Sequence, residues 1–254
     1  MDIYIDRDEL SRGLARIQGV IERRSTHPML AHVLLHAREG GLRMTATDTE
    51  IAFIGDLAAN VEKPGQAAVD AASFFQIVRA MPESTVRLTL TGGQRLEIRS
   101  GRSDFKLPAV GAEEYPALPA FETTGQVQIP ETELRRLIEQ THFAVAADDA
   151  RYGLNGVHME EREIEGVRTL RFVATDGHRL SAAQVPVDQT PKITPRMLVP
   201  RKALAVMKKL LGGSKEGVEV AFGDGAIRLS LPGQTLWFRL LEGEFPDYEA
   251  VVPT

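Results

Sequence analysis

The sequence repeats itself, and the repeat limits what it can fold into. Residues 42–48 read LRMTATD and residues 170–176 read LRFVATD, about half a chain length apart. One matched heptad can arise by chance, so the flanks decide. They keep the same order: IDRDELSRGL (5–14) answers to IPETELRRLI (129–138), and VDAASFFQIVRAMP (69–82) to VPRKALAVMKKLLG (199–212). VRLTLTGGQRLEIRSG (86–101) answers to VEVAFGDGAIRLSLPG (218–233), and FKLPAVGAEEYPALP (105–119) to FRLLEGEFPDYEAVVP (238–253). Landmarks kept in register along the whole chain mean two tandem copies of one unit, each of a size that can bury its own core.

Within each copy, alternation dominates. VRLTLT and QRLEIRS switch apolar and polar residues with period two, the pattern of half-buried antiparallel strands, and Gly92-Gly93, Ser100-Gly101 and Asp224-Gly225 mark hairpin turns. Helical periodicity is confined to short stretches. Leu10, Leu14, Ile17 and Ile21 form one apolar stripe over residues 8–21, and Leu134, Leu137, Ile138 and Thr141 repeat it. The expected fold class is α+β, with two helices packed on antiparallel sheet in each copy. The expected boundaries are 1–122 and 123–254. The proline-bearing segment 108–125 between them is expected to be extended and poor in helix.

Composition narrows the function classes. Cysteine is absent, so there is no disulfide, thiolate metal site or cysteine nucleophile, and a reducing, cytoplasmic setting is expected. No apolar run approaches the ~20 residues that span a bilayer. A net charge of −5 argues against generic nucleic-acid binding, yet the predicted helices (7–24, 72–80, 131–143 and 201–212) are together net basic while strands and loops are acidic. Two readings are open: basic residues covering solvated helix faces, or helices of both copies facing a polyanion. The net-negative 131–143 stretch weakens the second.

RYGLNGV (151–157), ATDGHRL (174–180), VPRKAL (199–204) and EFPDYEAVVP (244–253), in this order and with RSGRSDFKLP in the first copy, closely resemble the bacterial sliding clamp, the beta subunit of the replicative DNA polymerase III. The resemblance covers the whole chain and implies duplicated DNA-clamp domains. Family members carry three copies per chain and pair head to tail into a ring of six domains, a homodimer with helices lining the hole. This chain is therefore expected to hold the first two domains, with the third lying outside it. The implied function is that of a processivity factor. The ring encircles duplex DNA and tethers the replicative polymerase through many weak phosphate contacts, which permit sliding.

The resemblance implies three sets of site residues. Arg24, Arg79, Arg201, Lys202 and the mouth residue Tyr152 match DNA-facing positions, while Ala72, Ser73 and Asp104 depart from the basic pattern. A peptide pocket falls to Arg151, Leu154, Thr175, Gly177, His178, Arg179, Leu180, Pro246 and Val251. It would take a short motif with a glutamine and apolar or aromatic anchors, carried by polymerase, clamp loader and repair proteins. Ala250 departs there, and the family completes this pocket with a C-terminal tail. Without the family, His178 beside Gly177 reads as an exposed turn residue. The ring joint falls to Phe105 and Leu107 on an edge strand, with Arg95 and Arg102 nearby.

Other classes are weaker. His32 and His36 in MLAHVLLHA lack an accompanying carboxylate for a metal site. Asp148-Asp149 and the two ATD stretches suggest turns before carboxylate chemistry, because Asp bonds nearby backbone groups. No phosphate-cradling loop, nucleophile elbow or zinc signature occurs, so neither enzyme nor cofactor is expected. A peptide-binding scaffold that never encircles DNA is the alternative; it would need His178 and Leu154 but not Arg24 or Lys202.

Overall fold

A computed structural model describes residues 1–22, 27–92, 94–147, 152–187, 197–212 and 216–252. The chain divides into two compact units, Met1–Pro119 with Pro232–Leu236 and Ala120–Leu231 with Trp237–Thr254.

The first unit runs β1 (Asp2–Asp6), α1 (Arg7–Ile17), β2 (His32–Arg38), β3 (Gly41–Thr47), β4 (Ile51–Leu57), β5 (Asn60–Lys63), β6 (Gly65–Asp70), α2 (Ala71–Ala80), β7 (Thr85–Thr91), β8 (Arg95–Ser100) and β9 (Ser103–Val110). The second runs β10 (Gly125–Pro130), α3 (Glu131–Thr141), β11 (Gly156–Ile164), β12 (Val167–Thr175), β13 (Leu180–Pro186), β14 (Met197–Pro200), α4 (Arg201–Leu210), β15 (Gly217–Gly223), β16 (Ala226–Leu231) and β17 (Gln234–Arg239). Among the described residues the two orders differ by one short strand, β5.

Pairing repeats with the order. In the first unit β4-β3-β2-β6 and β9-β8-β7-β1 are antiparallel rows, and in the second β13-β12-β11-β14 and β17-β16-β15-β10 take the same places. The residue registers agree in kind: His32 stands opposite Asp70 as Gly156 stands opposite Pro200. Each unit is thus two antiparallel rows, four-stranded except where β5 adds a fifth strand beside β1 in the first unit, with a helix pair against them, the α+β duplication that the repeat predicts.

The sequence accounts for the helix starts. Asp6 and Asp70 cap α1 and α2 by accepting from the backbone N–H of Glu9 at 2.8 Å and Ser73 at 2.7 Å. Proline stands at the same place before α3 and α4, and there the first backbone N–H donates elsewhere: Glu131 to Glu216 O at 3.0 Å and Arg201 to Asn155 O at 3.2 Å. Leu10, Gly13, Leu14 and Ile17 are buried on α1, where Gly13 makes room for the Met44 methyl. Phe53 and Phe74 in one unit and Phe172, Phe222 and Phe238 in the other are fully buried, each contributing about 2–3 kcal/mol of apolar burial.

Two expectations need correction, on where α1 and α3 end, while the 108–125 segment is poor in helix as expected. Helix α1 ends at Ile17, so Ile21 is buried beyond the helix and Arg24 lies outside the described residues. The 108–125 segment begins inside β9 and holds a 3-10 turn at Ala112–Glu114. It is anchored by Tyr115, whose hydroxyl donates to Thr45 O at 3.1 Å and lies 3.3 Å from His32 O. Phe143 belongs to a 3-10 turn, His142–Ala144, after α3 ends at Thr141.

Candidate functional site

The two ATD stretches form the same turn. In the first unit the Thr47 hydroxyl donates to Ile51 O at 2.9 Å and accepts from Thr49 N–H at 3.0 Å. Asp48 Oδ1 accepts from the N–H groups of Glu50 and Ile51 at 2.9 and 2.6 Å. In the second unit the Thr175 hydroxyl donates to Arg179 O at 2.8 Å and accepts from Gly177 N–H at 3.1 Å, while Asp176 Oδ1 accepts from His178 and Arg179 at 3.0 and 3.1 Å. These aspartates are turn formers, as the sequence suggests. The His178 N–H, the Arg179 N–H and the Arg179 guanidinium, acting against some desolvation, hold the Asp176 carboxyl at about 2.

Around this second turn the expected pocket residues gather on three segments of one unit. His178 and Arg179 are exposed and Leu180 is half-buried where β13 begins. Arg179 is locked: its Nε lies 3.0 Å from Asp176 Oδ2, its Nη2 donates to Phe143 O at 2.6 Å, and the guanidinium sits 5.4 Å over the Phe143 ring. Leu154 ends the 3-10 turn Tyr152–Leu154, and its carbonyl accepts from Ala146 N–H at 3.1 Å. Residues 143–146 therefore join Arg179 to Leu154.

Pro246 and Val251 lie on the stretch after β17, which reaches Leu154 through its neighbour. A Cβ on Gly153 would press on the Glu244 carbonyl oxygen. Val251 is 71% exposed and Phe143 54%. The exposed side chains around the turn are thus apolar at Phe143, Pro246 and Val251 and polar at His178 and Arg179. Arg151 lies outside the described residues.

Sequence reading missed the group that holds the third segment. Glu160 on β11 accepts from the Tyr248 hydroxyl and from Arg162 Nε at 3.0 Å, and its other oxygen lies 3.4 Å from His158 Nε2. Burial acts to raise the Glu160 carboxyl, and the hydrogen bonds from His158, Tyr248 and Arg162 outweigh it, leaving it at about 2. Phe245 stacks on His158 at 5.0 Å and 8°. Gly153 and Phe143 were also passed over. The strand-like alternation around Glu160 predicts no partner eighty-eight residues away.

Of the expected DNA-facing residues, Arg79, Arg201 and Lys202 are exposed helix cations. Arg79 lies in the last turn of α2, 5.5 Å over the Phe75 ring. Arg201 and Lys202 occupy the first turn of α4, which has no acidic residue and no side-chain cap. A cation there opposes the helix dipole, so this placement costs stability while strengthening the field for an anion. The field is felt by His142, whose ring is lowered by burial first and then by Arg201 and Lys208. Tyr152 opens its 3-10 turn, and its side chain lies outside the described set.

Phe105 and Leu107, expected on an edge strand, lie on β9, whose residues 103–108 are unpaired on one side among the described residues. β8 is internal, between β7 and β9, and the end of β9 pairs with β6 through Ala109 and Val110. Phe105 is 42% exposed, but Leu107 is 9% exposed and points into its own unit. Arg95 stands opposite Pro108 and Arg102 lies in the turn beyond Ser100, so they sit at opposite ends of β8, roughly 20 Å apart along the strand. Asp104 pairs with Arg99 at 3.0 Å.

His32 and His36 stand on one face of β2, and among the described residues no group of His, Asp and Glu is placed to hold a metal ion.

Two family models match the chain, the N-terminal domain of the DNA polymerase III beta subunit over residues 1–119 and its central domain over 128–247. The chain belongs to the beta sliding clamp family. The Escherichia coli K12 beta sliding clamp is 34% identical over 254 residues, which is 100% of this chain and 68% of that protein. The DNA polymerase sliding clamp structure from Caulobacter crescentus covers the whole chain with a TM-score of 0.91 at 34% identity, over 69% of its own length. The Bacillus subtilis sliding clamp has a TM-score of 0.91 at 28% identity. The sliding-clamp fold explains the repeat: each copy supplies a helix pair and a sheet wall of the same design.

Proposed function

We propose that this chain is a DNA polymerase processivity factor, a sliding clamp that encircles duplex DNA as part of a closed ring. The observation that carries it is the whole-chain match to DNA polymerase sliding clamps, in fold and in both family models. In this reading residues 1–122 and 123–254 are the first and second clamp domains. Arg24, Arg79, Arg201, Lys202 and Tyr152 face the DNA phosphates. Arg151, Leu154, Thr175, Gly177, His178, Arg179, Leu180, Pro246 and Val251 receive a short peptide motif of the replicative polymerase, the clamp loader and repair proteins. Phe105, with Arg95, Arg102 and Leu107 around it, contributes to the ring joint.

Sliding clamps from Pseudomonas aeruginosa and Bartonella birtlesii have been solved bound to griselimycin, which supports a ligand pocket in clamps of this kind. The role is retention on DNA and involves no bond chemistry, so the protein acts without cofactor or catalytic residue, in the cytoplasm with the replication machinery. Among the described residues no helix is long and apolar enough to cross a membrane. A scaffold that binds peptides without encircling DNA is not favoured, because the relatives are DNA polymerase clamps.

The test is topological. The protein is loaded on nicked circular DNA with a clamp loader and the circle is then cut once. Release on linearisation supports encirclement, and equal retention on circle and line refutes it.

A further inference from the structure

Resting on the peptide-pocket reading, we infer that Glu160 is a positioning residue for motif recognition, holding Pro246 and Val251 in place through Tyr248 without itself touching the peptide. The stretch that carries Pro246 and Val251 belongs to no strand; after β17 it runs without ladder pairing to a short 3-10 turn at Tyr248–Val251. Backbone bonds from Leu240 and Leu241 to Gly225 O and Leu198 O hold the start of the stretch, and side chains hold it further along. Here Tyr248 is 5% exposed while Val251, three residues on, is exposed, and the Tyr248 hydroxyl donates to Glu160.

Three further ties converge on the same place. Arg162 bridges Glu160 and Glu249, joining β11 to the 3-10 turn itself. The Arg162 and Arg171 guanidinium groups lie 6.0 and 5.6 Å over the Tyr248 ring. Phe245, stacked on His158, also meets Tyr248 edge-on at 6.2 Å. Pro246 lies between Phe245 and Tyr248, so two anchored rings set its place. Glu160 accepts from Tyr248, Arg162 and His158, each of which makes one of these ties, and a polar network of this kind acts as one unit. Its contacts lie on the sheet side of the stretch, while Val251 stays exposed.

The test uses the 254-residue chain and a fluorescein-labelled decapeptide containing one Gln followed by Leu and Phe. Binding is read by anisotropy for the wild type, Glu160→Ala, Tyr248→Phe and the double variant, each with its thermal midpoint. Tyr248→Phe keeps the ring and removes only the hydroxyl, so it remains informative if Glu160→Ala fails to fold. The expected result is an affinity loss of about tenfold in either single variant and no further loss in the double, as residues of one network give. Midpoints that fall while affinity holds within twofold overturn the inference and leave the pocket reading standing. Additive losses in the double variant overturn it as well. A wild-type chain that ignores the decapeptide overturns the pocket reading, and this inference with it.

Discussion

Thr49 and Gly177 occupy the same position in the two copies of one turn, at φ +79° and +87°. Both copies close that turn with a Thr hydroxyl and an Asp carboxylate, so the backbone must turn left-handed at the same residue. Only the second copy places glycine there, and that copy carries the expected peptide pocket.

The strain follows from chirality. A β-branched residue at positive φ costs about 1–2 kcal/mol, partly offset by the extra freedom glycine has in the unfolded chain. Thr49→Gly should therefore stabilise the protein by about 1 kcal/mol, and Gly177→Ala should destabilise it by a similar amount. Urea unfolding of the two variants checks both signs.

Gly153 should tolerate no side chain. A Cβ there presses on the Glu244 carbonyl, and backbone cannot swing aside as a flexible side chain does. Gly153→Ala is expected to cost about 1–3 kcal/mol by overpacking and to move Leu154 away from the Pro246 stretch. A drop in melting temperature together with weaker peptide binding is the expected pair of readings; unchanged values in both would show that the close approach relaxes freely.

Arg201→Ala should separate stability from DNA binding. Removing a cation from the first turn of α4 is expected to raise stability by about 0.3–1 kcal/mol through the helix dipole. The same change should weaken binding to unrelated DNA sequences equally and flatten the salt dependence by roughly one unit of slope. A sequence-selective loss in a binding titration would argue against a phosphate contact.

Glu160 sets an acid limit. Its carboxyl sits at about 2 against an ordinary 4.5, so the folded state favours its charged form. The resulting stability is fully present above about pH 4.5 and is lost as pH falls towards 2, on the order of 2–3 kcal/mol in all. The stability gap between wild type and Glu160→Gln, measured by denaturant unfolding, should therefore shrink between pH 4.5 and pH 2.5. A constant gap over that range would show that Glu160 is not ionised in the folded protein.

Much of the fold was legible because it rests on local periodicity and on repetition. Strand alternation placed β7 and β8, and the paired motifs gave the element order of one copy once the other was known. The apolar stripe predicts a longer α1 because Ile21 continues it after the helix has ended; burial in a turn and burial on a helix leave the same mark in a sequence. Alternation along β9 names two faces without saying which one is covered, so the buried Leu107 and the exposed Phe105 are not told apart by it.

The sequence by itself determined the duplication, the fold class and the family, since each is carried by patterns spread over many residues. It also determined that the two ATD aspartates would close turns, a matter of neighbours two and three residues apart. Only the tertiary structure decided that Arg179 is locked to Phe143, that Gly153 lies against Glu244, and that Glu160 holds Tyr248. Those pairs are between 36 and 91 positions apart in the chain. Contacts that distant depend on how strands and loops pack in three dimensions, and no local pattern of residue types encodes them.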